Sequence, residues 1–168
     1  MSAELFIAVF KDSEEQAQNT LQRTRELAKA GSLRLQNAAV IVKDSDGEVT
    51  VQDIHDVDAK HGAVFGAISG AVIGLLGGPV GAIVGAAAGA ATGGTTAKLA
   101  DYGVSENLIK EVRDSMPPGS SAIIAYVELA WVDKAVRQLE QAGAVVTHET
   151  LAGSADFWDS APSAPRHI

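Results

Sequence analysis

The first block of the pattern is apolar. Leu5-Phe6-Ile7-Ala8-Val9-Phe10 is short and rich in bulky side chains, which predicts a buried strand. Ser13 then begins S-E-E-Q, a capping-box pattern that puts Gln16 at the third helical position. Ala17, Leu21, Thr24 and Ala28 follow at helical spacing, and Gly31 ends the helix. The runs Ala38–Val42 and Val49–Gln52, joined through Asp44-Ser45-Asp46-Gly47, predict a hairpin. Further on, Ser105-Glu106 caps a helix with Leu108, Ile109, Val112 and Met116 on one side, and Pro117-Pro118-Gly119 ends it. Ser121–Val127 is another apolar strand. Val132, Ala135, Val136 and Leu139 mark an amphipathic helix that stops at Gly143, and a last strand begins at Ala144–Thr147.

Two stretches share one layout of strand, helix, Ala-Gly and strand. They are Leu5–Val42 with Ala30-Gly31, and Ser121–Thr147 with Ala142-Gly143. Two right-handed βαβ units of this kind predict an α+β fold, a ferredoxin-like antiparallel sheet with its helices on one face. The expected body is discontinuous, 1–58 and 101–150. An apolar insertion occupies 59–100, and an irregular tail rich in Ser, Ala and Pro occupies 151–168.

The insertion has a period of its own. Glycine falls at Gly62, Gly66, Gly70 and Gly74, and after Gly77-Gly78-Pro79 again at Gly81, Gly85, Gly89 and Gly93. Residues four apart share nearly one side of a helix, so two helices over roughly 61–76 and 80–98 each carry a bare groove. Four glycines per helix cost about 4 kcal/mol of helix propensity. Close approach of another backbone along the groove offsets that cost. Gly77-Gly78-Pro79 supplies the turn of an antiparallel pair. The expectation is a glycine-zipper helical hairpin that self-associates.

What covers the hairpin is open at this level. Lys60 and His61 precede it and Lys98 follows it, which suits a cytoplasmic body beside a lipid bilayer. The two legs span about 24 and 28 Å, short of a 30 Å hydrocarbon core. Much of the apolar drive, including Val72, Ile73, Leu75, Leu76, Val80, Ile83 and Val84, gathers near the turn. A re-entrant or thin-spanning hairpin in the cytoplasmic membrane is the first expectation. A cytoplasmic homo-oligomer that buries the hairpins in a central bundle is the second.

Charge and candidate chemistry narrow the rest. The formal net charge is −8 with no Lys/Arg cluster, so nucleic acid is not an expected partner. Cysteine is absent, which removes disulfides, thiolate metal sites and thiol nucleophiles. Met1-Ser2-Ala3-Glu4 lacks a basic run and Leu5–Phe10 is too short for a signal peptide, so export is not expected. Asp53, His55, Asp56, Asp58 and His61 precede the hairpin. His55, Asp56, Asp58 and His61 are weak metal candidates, with a solvated acidic collar as the alternative. Asp44 and Asp46 lack the other ligands of a calcium loop and read as a turn. Gly93–Lys98 does not make a phosphate loop. Ser120-Ser121 has no spaced base and reads as turn chemistry, while His148, Glu149 and His167 read as surface. Phe157 and Trp158, between Asp156 and Asp159, either dock a partner or fold back onto the body. No catalytic residue and no cofactor is expected, and a small-molecule or metal binder is a third class.

The strand start, the S-E-E-Q helix, "AAVIVKDSDGEV", the glycine-zipper hairpin and "PPGSSAIIAYVE", in this order, resemble the bacterial family called domain of unknown function 1269. The resemblance covers roughly residues 3–150, and the order of elements is more specific than any one motif. It implies a protein of the kind labelled membrane-bound because of its hairpin. The family has no established activity, so the resemblance assigns no catalytic role to any residue.

Overall fold

Alternation within each apolar run places one set of side chains on each face of a sheet. A computed structural model of the chain describes residues 3–32, 35–56, 72–74, 76 and 104–150. Its elements are β1 (Ala3–Phe10), α1 (Gln16–Lys29), β2 (Leu35–Lys43), β3 (Val49–Asp56), α2 (Glu106–Ser115), β4 (Ser120–Glu128), α3 (Val132–Gln141) and β5 (Val145–Thr150). The five strands form one antiparallel sheet in the order β3-β2-β4-β1-β5. β4 therefore lies between β1 and β2, and β1 lies between β4 and β5. Each helix-linked strand pair is split by a strand from elsewhere in the chain.

Both faces of the sheet are buried. Phe6, Ala8, Val40, Ile123 and Ala125 pack on one face with Ala17 and Leu21 of α1 and Ala135 and Leu139 of α3. Leu5, Ile7, Val9, Ile41 and Ile124 pack on the other with Leu108, Ile109 and Val112 of α2. The expectation of helices on one face holds for α1 and α3 but not for the whole molecule. The central strands carry large apolar side chains at odd and even positions alike, so a sheet covered on one side only would expose Ile7, Ile41 and Ile124 to water.

The two Ala-Gly stops behave alike. Gly31 has φ +72° and Gly143 has φ +90°. Gly31 N–H bonds the Ala28 carbonyl while Ser32 N–H bonds that of Leu27, and Gly143 and Ala144 repeat the pattern on Glu140 and Leu139. These paired bonds satisfy the last carbonyls of each helix through a left-handed residue that only glycine adopts freely.

The start of α1 differs from its expected form. Ser13 Oγ accepts from Gln16 N–H at 3.1 Å, as a capping box requires, but the helix begins only at Gln16. The Gln16 side chain does not return to Ser13. Its Nε2 donates to the Ala142 carbonyl at 3.3 Å, tying α1 to the end of α3. The cap of α2 is as expected, with Ser105 Oγ accepting from Leu108 N–H at 3.1 Å.

Candidate functional site

The apolar insertion meets the body where it is described. Residues 72–74 and 76 are helical, in keeping with the expected first leg. Val72, Ile73 and Leu76 are 0%, 1% and 7% exposed and belong to the second-face core, with Ile41, Val49 and Ile124. Val72 and Leu76 lie one turn apart and share a stripe. Gly74 lies about 200° around the helix from Val72. Gly74 is partly buried, whereas Val72, Ile73 and Leu76 are buried. Val72, Ile73 and Leu76 thus pack into the core on this chain's own sheet, an occupant that the pattern of residues did not suggest. Of the eight ladder glycines only Gly74 is described; Gly62, Gly66, Gly70, Gly81, Gly85, Gly89 and Gly93 lie outside the described residues. Among the described residues no helix is long and apolar enough to cross a membrane.

A polar cluster sits where β1 meets β5. Register pairs Glu4 with Thr150 and Phe6 with His148. Glu4 is 8% exposed, and its carboxylate accepts a hydrogen bond from the Thr150 hydroxyl at 3.1 Å and lies 2.7 Å from His148 Nδ1. The imidazole stacks on Phe6, with ring centroids 5.1 Å apart and planes 14° from parallel. Glu149 points the other way and accepts from Ser105 N–H at 3.0 Å, at the cap of α2. His148 is exposed and Glu149 half-buried, in keeping with a surface position, but each has a partner. Their partners sit in β1 and before α2, far away in sequence, and no local spacing announces them. The arrangement fixes the imidazole in orientation and buries a carboxylate, which pins the edge strand at two points.

Asp44 is committed to its turn. Its Oδ1 accepts from Asp46 N–H and Glu48 N–H, both at 2.9 Å, which uses the carboxylate internally as the turn reading expects. Ser120 Oγ donates to the Pro117 carbonyl at 2.5 Å, in line with turn chemistry. Ser121 differs. It is fully buried, donates to the Ser13 carbonyl and accepts from Ala17 N–H, which makes it the link between β4 and the start of α1. His55 and Asp56 lie on β3 at the sheet edge, opposite Ala38 and Asn37, whereas Asp58 and His61 lie outside the described residues. Among the described residues no three His, Asp or Glu side chains gather as a metal site would need. Phe157 and Trp158 also lie outside the described residues. Burial raises the Tyr126 phenol well above its ordinary range.

Neither a curated protein nor a solved structure matches the chain. A family model does, over residues 63–156, from the apolar ladder through α2, β4, α3 and β5. With more than half of its length matched, the chain belongs to the family described as a protein of unknown function, DUF1269.

Proposed function

We propose that the protein is a noncatalytic assembly protein that associates with copies of itself through a glycine-zipper hairpin at the cytoplasmic membrane. The body, 1–58 and 101–150, is a ferredoxin-like unit on this reading. Removing the edge strand β3 from the order β3-β2-β4-β1-β5 leaves two split βαβ units interleaved, which supports it. The hairpin of 59–100 is an insertion between β3 and α2.

The observation that carries the proposal is the two-sided helix at 72–76. Its bulky residues, Val72, Ile73 and Leu76, are buried with the body, while Gly74, about 200° around an ideal helix from Val72, is only partly buried. A bare stripe in a run of 33 residues without one charged side chain suits only close contact with polypeptide or lipid. The burial of Val72, Ile73 and Leu76 in protein favours a second reading, a soluble homo-oligomer in which the second leg and other copies cover the glycine stripe. Carbonate extraction of cell membranes, followed by sizing without detergent, separates the two. Retention in the pellet supports the bilayer, and a discrete large particle in the supernatant supports the soluble assembly. A monodisperse monomer in the supernatant would overturn both.

A further inference from the structure

An edge strand leaves a row of backbone N–H and C=O groups outside the ladder, and folds usually blunt that edge. The two edges of this sheet differ. β3 has a register shift opposite Val40 and Ile41, which leaves Gln52 as an extra residue, and its sequence includes the charges of Asp53 and Asp56. β5 has no such shift. Its register with β1 runs unbroken from Val145 to Thr150, it holds neither proline nor lysine, and among the described residues no strand lies on its outer side. Its one carboxylate, Glu149, is turned to the Ser105 N–H at 3.0 Å. Val145 is 40% exposed, which is high for a large apolar side chain among the described residues.

We propose that β5 pairs antiparallel with β5 of a second copy of this chain, about a twofold axis at Thr147, and joins two five-stranded sheets into one. Opposed residues of an antiparallel pair share a face, so a twofold axis normal to the sheet passes through a residue facing its own copy. With the axis at Thr147 the strand is self-complementary. Thr147 meets Thr147 of the second copy, Val146 meets its His148, and Val145 meets its Glu149. A hydroxyl pair, a β-branched residue beside an aromatic ring, and a valine beside the stem of a glutamate are pairs that hold antiparallel strands together. No charge meets a like charge. With the axis at His148 the two imidazoles would oppose each other and Val145 would fall outside the paired strand. The contact does not rest on the glycine-zipper reading. Where both contacts form, two separate interfaces per copy extend the assembly into a row.

The chain has no cysteine, so a single introduced thiol reports the axis. Residues opposed in an antiparallel pair have Cα atoms about 4.5–5.5 Å apart, within reach of a disulfide. Full-length Thr147→Cys is therefore expected to oxidise to a disulfide-linked dimer. Val145→Cys is not, because its two copies lie about 13 Å apart along the strand. Val145 is exposed and Thr147 half-buried, so random collision favours the opposite result. Thr147→Lys sets two ammonium groups on the axis. Its β5 amides are expected to exchange faster than those of the native chain at equal concentration, while circular dichroism stays native. Monomeric Thr147→Cys, equal crosslinking at both positions, or native exchange in Thr147→Lys overturns the proposal. The disulfide is read at the strand, so its failure leaves the hairpin reading standing.

Discussion

The hydroxyl of Ser121 on β4 donates a hydrogen bond to the carbonyl of Ser13 at 2.6 Å and accepts one from Ala17 N–H at 3.1 Å. One buried hydroxyl thereby satisfies a donor and an acceptor at the start of α1, whose N-cap residue Glu15 makes no side-chain cap.

Ser121→Ala leaves both groups unsatisfied in a dry site and is expected to cost about 1–3 kcal/mol in urea denaturation. Ser13→Ala removes only the bonds of Ser13 Oγ to Glu15 and Gln16 N–H, near the surface, and costs about 0.5–1 kcal/mol. A larger loss from Ser13→Ala than from Ser121→Ala would make Ser13, not Ser121, the main support of the start of α1.

His148→Ala removes the ring stacked on Phe6 and strips Glu4 of its nearest partner. An expected loss of about 1–2 kcal/mol is measured by denaturation. Hydrogen exchange then increases first in β5, an edge strand whose only strand partner among the described residues is β1. Uniform exchange across the sheet would contradict a local pin.

Tyr126 is 3% exposed, and burial raises its phenol above the ordinary value of 10. The unfolded phenol titrates first, so the stability linked to Tyr126 is intact below about pH 10 and declines as pH rises further. The slope is about 1.4 kcal/mol per pH unit for one proton. Denaturation midpoints of the native chain and Tyr126→Phe, compared from pH 9 to 11, check this: the variant is expected to decline less steeply.

Ile73 is 1% exposed in the second-face core. Ile73→Ala is expected to destabilise the body by about 2–5 kcal/mol, and Ile73→Asp to make the sheet bind a hydrophobic dye. Body stability unaffected by both variants would show that the insertion does not rest on the sheet.

Gly70→Leu and Gly85→Leu place bulk on the proposed bare stripes. Each is expected to reduce self-association in sedimentation while circular dichroism of the α+β body persists. Normal assembly by both variants rules out the zipper.

Much of the architecture was local information. Apolar runs, the Ser105 cap, the Asp44–Gly47 turn and the paired glycines at 31 and 143 each act within a few residues, so pattern alone located the five strands and the helices α1, α2 and α3 of the described residues. The apolar glycine ladder of 62–94 is likewise legible by its period and lack of charge. Tertiary structure decided what no short window contains. It chose which strand lies beside which, and so brought Glu4 to His148 and Ser121 to Ser13 across more than a hundred residues. It also decided that the sheet is covered twice. Along Leu5–Phe10, Ala38–Val42 and Ala122–Ala125 the side chains at odd and even positions alike are apolar, and a second layer, to which Val72, Ile73 and Leu76 contribute, is what keeps water off the far side.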